Sequence, residues 1–177
     1  GYGRVLMEDT VEWVRRKKYD LCVLYGIPNF YHKFGFEVIM ARHFVTLAQS
    51  DIPTINKPLN KSHIRPADMK AVRGLYNAQA KFRDGNCLRR KMSAPKSGFK
   101  LADKRGRVAA YAIWQRAENS MLVREAVARD ADAAEELLQC LRHVAWREGL
   151  DSLNIQMPFG YPLTDATAPL NSTYHRV

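Results

Sequence analysis

The chain begins Gly1-Tyr2-Gly3-Arg4 and runs directly into an amphipathic stretch in which Met7, Val11 and Val14 recur at i, i+4 and i+7. A Gly-x-Gly at the start of a helix has a specific chemical use. Without Cβ atoms, backbone N–H groups can close on an anion such as a pyrophosphate, and the helix N-terminus adds a favourable dipole. Gly1, Tyr2, Gly3 and Arg4 are therefore the first candidates for a phosphate-binding site; the plainer reading is two glycines at a flexible end. Other reactive side chains are less organised. His32, His43, His63, His143 and His175 show neither metal-ligand spacing nor a matching nucleophile. Cys22, Cys87 and Cys140 are odd in number, far apart and without C-x-x-C spacing, which points to reduced, structural thiols and to no metal.

The elements that must position such a site are bounded by length and composition. At 177 residues and 46% hydrophobic content, the chain has enough apolar material for one ordinary domain or two small ones. No apolar run approaches the roughly 20 residues that span a bilayer, and no basic segment leads into an apolar signal region, so the expected compartment is the cytoplasm. The formal charge is +10, from 28 Lys plus Arg against 18 Asp plus Glu, which suits an anionic partner. Nucleic acid is the weaker choice. The basic residues fall in separate clusters (Arg15 to Lys18, Arg89 to Lys91, Lys104 to Arg107) rather than in one stripe interleaved with aromatics.

Hydrophobic patterning predicts a helix from Arg4 to the basic turn Arg15-Arg16-Lys17-Lys18, then a buried strand in YDLCVLYG (19–26). A short aromatic helix around Phe30, Tyr31 and Phe34 stops at Gly35, and FEVIM and HFVTLA read as a strand pair. Residues 49–62 read as a linker, and a second unit is expected over 63–177. Within it, HIRPAD is a short strand meeting a turn, and Met69, Val72, Leu75, Tyr76 and Phe82 stripe a helix closed by Gly85. GFKLAD and RVAAYAIW form a hairpin around Arg105-Gly106, followed by a third strand in ENSMLVREAVA. A helix through Leu137, Leu138, Leu141 and Val144 has Asp132 and Glu135 in capping-box spacing and Gly149 past its end, before a strand in DSLNIQMP. A shift of 131 positions lays Leu6-Met7 on Leu137-Leu138 and Tyr19-Asp20 on Leu150-Asp151, the mark of an internal repeat.

GYGRVLM, YDLCVLYG and IPNFYHKFGFE together resemble the GNAT (GCN5-related N-acetyltransferase) superfamily, in its pyrophosphate loop, the following strand and the Tyr-x-x-x-Gly-Phe helix. HIRPADMKAVRGLY and GFKLADKRGRVAAYAIW resemble the opening strand, helix and central hairpin of a second such unit. The resemblance implies an α/β fold with a GNAT-like mixed sheet flanked by helices, in tandem: the C-terminal half of one unit over 1–48 and a nearly complete, degenerate one over 63–177. The layout is similar to that of Eis-like tandem acetyltransferases, which implies a chain that begins inside the cofactor loop and stops short of its natural end. The implied reaction is acetyl transfer from acetyl-CoA to a primary amine of a small or peptide acceptor, with the oligomeric state open. By the same resemblance Gly1, Tyr2, Gly3 and Arg4 hold the CoA pyrophosphate, Ile27, Asn29 and Phe30 border the pantetheine arm, and Tyr31 protonates the departing thiolate.

In the second unit the shifted loop reads Arg129-x-x-Asp132-x-Ala134, and a carboxylate where glycine should stand opposes a pyrophosphate. This unit is expected to keep the fold and lack the cofactor, with Asp132 serving as a helix cap. Glu125, on the strand before that loop, occupies a region from which GNAT enzymes often draw a general base. Alternating with Val123 and Val127 and sharing their face, it reads first as a structural carboxylate paired with a neighbouring arginine, and a base is the lesser reading. The competing function is a non-catalytic scaffold or interaction module.

Overall fold

The computed structural model describes residues 1–27, 29–38, 43–54, 60–82, 86–157 and 161–176. The chain divides into two compact units, Gly1–Met40 and Ala41–Val177. In the first, helix α1 (Tyr2–Arg16) ends on Arg15 and Arg16, whose charge complements the helix C-terminus. A 3-10 turn (Tyr31–Phe34) is closed by Gly35 at φ +83°, a left-handed conformation that favours glycine.

The expected strand over 19–26 does not form. A strand exists through its ladder, and among the described residues no ladder pairs this segment. Its apolar side chains stay in water, with Leu21 63% and Tyr25 80% exposed. Residues 36–38 of the expected FEVIM strand are likewise unpaired, and Ile39 and Met40 lie outside the described residues.

The second unit is built on a mixed sheet with order β2-β3-β4-β5-β6-β1-β7. Its strands are β1 (His43–Ala48), β2 (Lys61–His63), β3 (Gly98–Ala102), β4 (Val108–Ala117), β5 (Ser120–Ala128), β6 (Ser152–Gln156) and β7 (Ser172–Arg176). Helices α2 (Met69–Ala80), α3 (Ala131–Arg147) and α4 (Pro162–Thr167) complete it. HFVTLA, assigned above to the N-terminal part, is β1 of this sheet, antiparallel to both β6 and β7. Val45 and Leu47 are consequently almost wholly buried. The expected linker is also part of the unit: Gln49–Asp51 forms a 3-10 turn and Lys61 already belongs to β2, while 55–59 lie outside the described residues. The helix expected to reach Phe82 and Gly85 ends at Ala80, and Gly85 lies outside the described residues. The sequence reading missed α4 and β7.

Two cores lie on opposite faces of β4 and β5. Ala110, Ala112, Ala126 and Ala128 turn small side chains toward α3, whose Leu137, Leu141 and Ala145 fill the space above them. Tyr111 and Val127 face the other way, with Val72 and Met69 of α2. A bulge at Arg124 breaks the alternation of β5: Ile113 pairs with Glu125, yet Trp114 pairs with Val123. Val123 therefore joins the α3 core, and Glu125 shares its face with Val127 alone, which corrects the alternation read from sequence.

Candidate functional site

In the N-terminal unit, α1 starts at Gly1 with no side-chain cap and no acidic residue in its first turn. Arg4 N–H donates to the Gly1 carbonyl at 3.1 Å, and Tyr2 is 97% exposed. A Cβ at Gly1 or Gly3 would meet nothing within 4 Å, so no packing inside the chain calls for glycine at either position. The Arg4 guanidinium hydrogen-bonds Glu8 Oε1 at 2.8 Å, which holds it above the usual arginine pKa. Glycine and the lack of a carboxylate in the first turn are features that, at the positive end of a helix dipole, suit an anion.

The aromatic turn is organised around Tyr31. Its ring meets Phe30 edge-on at 5.0 Å and Phe36 at 6.3 Å, and Lys33 Nζ sits 3.6 Å above the Phe30 ring. A Cβ at Gly26 would stand 2.2 Å from Tyr31 Cε2 and 2.8 Å from its hydroxyl, so only glycine lets the phenol lie there. Asn29 adopts φ +58°, which accounts for an asparagine at that position on conformational grounds. Phe30 N–H donates to the Ile27 carbonyl at 3.4 Å. Ile27, Asn29, Phe30 and Tyr31 are thus gathered in one turn, and no hydrogen bond, ion pair or ring contact among the described residues links them to Gly1–Arg4.

The corresponding junction of the second unit differs in kind. The parallel ladder between β5 and β6 runs from Ser120↔Ser152 to Val123↔Ile155 and stops, while β5 continues to Ala128 beside β4. The two strands part there, at the foot of α3. The α3 N-terminus is filled from within: Asp130, in extended backbone, accepts the Ala133 N–H at 2.9 Å. The cap is therefore Asp130, not the expected Asp132, which lies in the first turn and adds a second carboxylate. That N–H bond, followed by Arg129, holds the Asp130 carboxyl below its ordinary range. Arg129 bridges onward to Asp103 at 3.0 Å, and Asp103 is held far below its ordinary range, first by the Arg107 backbone N–H.

Glu125 lies near this opening and is fully engaged. Arg89 grips it with both terminal nitrogens, Nη1 donating to Oε1 at 3.0 Å, and the buried Tyr111 hydroxyl donates to the same oxygen. Burial, then the neighbouring carboxylate, raises the Tyr111 pKa, and the Arg89 guanidinium stacks 3.8 Å above Tyr76. Asn77 fixes the backbone of residue 89 through both its carbonyl and its N–H. Of the two readings of Glu125, this is the structural one. Arg89 was visible in the sequence only as part of a basic cluster; nothing local marks it as the partner of a residue 36 positions away.

Among the described residues, no group of three His, Cys, Asp or Glu is placed to hold a metal ion, and no helix is long and apolar enough to cross a membrane.

No protein-family model matches the sequence, and no curated protein matches it significantly. Solved structures do. A conserved protein of unknown function from Enterococcus faecalis V583, called a probable N-acyltransferase, aligns with TM-score 0.75 at 16% identity, over 97% of this chain and 47% of its own. A GCN5-related N-acetyltransferase from Anabaena variabilis ATCC 29413 aligns with TM-score 0.73 at 16% identity, over 97% and 48%. One from Kribbella flavida aligns with TM-score 0.64 at 15% identity, over 98% and 46%. The chain spans about half the length of each of these structures. At such identities the likeness concerns architecture: a mixed seven-stranded sheet flanked by helices, which is a GNAT-like fold.

Proposed function

We propose that the chain is part of an N-acetyltransferase that moves the acetyl group of acetyl-CoA to a primary amine, in a tandem GNAT layout whose reactive site lies in the N-terminal unit. The observation that carries this assignment is the contrast between the two helix starts. The first turn of α1 carries glycine and no carboxylate, whereas the α3 N-terminus is occupied by Asp130 and flanked by Asp132. A pyrophosphate suits the first and is repelled by the second.

In this reading Gly1, Tyr2, Gly3 and Arg4 hold the pyrophosphate, and Ile27, Asn29 and Phe30 line the pantetheine arm. The acceptor nitrogen attacks the thioester carbonyl; the C–N bond forms, the C–S bond breaks, and the Tyr31 phenol gives its proton to the departing sulfur while the ammonium proton passes to solvent. Phe30, Phe36 and Gly26 fix the phenol's direction. The second unit supplies no partner for this chemistry, because Glu125 is held by Arg89 and Tyr111. A non-catalytic role in assembly or docking is thereby favoured for that unit.

The test is a calorimetric titration of acetyl-CoA into the chain, with Gly3→Glu and Ala133→Glu beside it, followed by thiol release with a panel of amines. Saturable binding lost in Gly3→Glu and kept in Ala133→Glu is expected, with turnover falling roughly 100-fold in Tyr31→Phe. Binding lost only in Ala133→Glu would move the site to the second unit. Turnover unchanged in Tyr31→Phe would remove Tyr31 from the mechanism.

A further inference from the structure

The α3 face of the sheet carries a second concave site, away from the β5–α3 junction. Lys61 and His63 alternate onto one face of β2, opposite Leu101 and Phe99. On β4 the small Ala110 and Ala112 let α3 approach, and Trp114 continues the same face. The last turns of α3, with Val144 and Arg147, then form one wall of a groove floored by β2 and β3. Its volume is about 530 Å³, within the range of small-molecule sites.

The charges in this groove are unbalanced. Lys61 is partly desolvated, which lowers its pKa, and Arg147 adds repulsion. Among the described residues neither lies within ion-pair distance of a carboxylate, and Glu148 is the one acidic residue in the lining. Burial lowers the His143 pKa, and Lys61, Arg147 and Arg142 lower it further, so the positive potential is shared along this side of α3. Arg142 Nε is buried with no hydrogen-bond partner. Arg147 alone is explained by the helix dipole. Lys61 is on a strand, and its partial burial with no carboxylate in ion-pair reach among the described residues disfavours the ammonium, which an anion at the groove would reverse.

We infer that this groove binds a small molecule with an anionic head on a flat apolar body, the head at Lys61 and Arg147 and the body against Phe99 and Trp114. Lys61 Nζ already lies 6.0 Å from the Phe99 ring centroid, so one ligand spans both features. The site is independent of the acetyl-transfer reading and shares no residue with it.

Three probes of one shape test the proposal on the whole chain by calorimetry: 2-naphthoate, 2-naphthyl phosphate and the neutral 2-naphthalenemethanol. Saturable binding of at least one anion is expected, about tenfold tighter than the alcohol. The tighter anion names the head group as carboxylate or phosphate. Lys61→Met and Arg147→Gln should each weaken that anion about tenfold and leave the alcohol unchanged. Lys61→Met should also melt no lower than the parent, because it removes a desolvated charge. Equal affinity for anion and alcohol, or anion binding insensitive to both substitutions, would overturn the inference, as would no saturable binding of either anion.

Discussion

Replacing Glu125 by glutamine probes a densely connected, partly buried polar cluster on the sheet. The carboxylate receives two N–H bonds from Arg89 and an O–H bond from Tyr111, and the ion pair is 33% exposed on the arginine side and 15% on the glutamate side. Removing one partner of a fully buried pair costs about 3–5 kcal/mol. Water reaches the guanidinium, so the loss is discounted to about 2–3 kcal/mol, most of it from donors left facing an amide. For a chain of 177 residues this lowers the melting temperature by about 5–10 °C. The assay is scanning calorimetry on Glu125→Gln, Arg89→Met and the double variant, with urea unfolding for the cycle. A coupling of about 1.5–2 kcal/mol is expected, since the double variant no longer strands a charge. Additive single effects, or a loss under about 0.5 kcal/mol for Glu125→Gln, would refute the argument. The same variant separates structure from chemistry. On the proposed function, any acetyl transfer measured below the new melting temperature keeps its pH profile in Glu125→Gln; a lost basic limb would make Glu125 a base.

Other outcomes follow from the same geometry. Leu47→Ala, on a strand wedged between β6 and β7 and 1% exposed, should cost about 3 kcal/mol in urea unfolding, and a loss under about 1 kcal/mol would mean that β1 is not integral to the sheet. Asp130 has its pKa depressed by folding, so its contribution is present above the unfolded carboxylate value of about 3.9 and lost as pH falls through the lower folded value. Asp130→Asn keeps a capping side chain without the charge, so it should melt a little below the parent near neutrality and converge with it below pH about 4; parallel acid profiles would refute the linkage. Cys22 and Cys87 are exposed, whereas Cys140 is buried and its thiol is pushed up to about 12, so Ellman's reagent at mild alkaline pH should titrate two thiols in the native chain and the third only after unfolding.

What the sequence disclosed was local. The periodicity of α1 and α3, the β3–β4 hairpin with Gly106 at φ +73° and the glycine after α3 at φ +65° depend on neighbours a few positions away. What it concealed depends on distant partners. An apolar run over 19–26 matches a buried strand in composition, but pairing decides, and the pairing is absent among the described residues. The reverse holds for β7, whose polar Ser172–Arg176 became a strand because β1 offers it a free edge. Gly1, Gly3 and Tyr31 were singled out by a local motif and a family resemblance, whereas the Arg89–Glu125 pair depended on a strand bulge and a loop that meet only in the fold.

The repeat gains physical content from these placements. Shifted by 131 positions, Arg16 at the end of α1 falls on Arg147 at the end of α3, and Tyr31 at the start of the aromatic turn falls on Pro162 at the start of α4. The helix ends and the turns that follow fall in register, but the strand between them does not: 152–156 pair as β6, whereas among the described residues no ladder pairs 21–25. Gly1 and Gly3 correspond to Asp132 and Ala134, behind a cap supplied by Asp130, and a phenol corresponds to a pyrrolidine ring that suits a first helical turn and can donate no proton. An aspartate cap stabilises a helix by about 1 kcal/mol over an uncapped start. On the proposed reading, the second unit has a self-capped helix start where the first has one suited to an anion, and that cap stands against a cofactor there. Restoring the first copy's chemistry would then require opening the α3 N-terminus, and Asp130→Gly with Asp132→Gly should lower stability before it yields any affinity for acetyl-CoA.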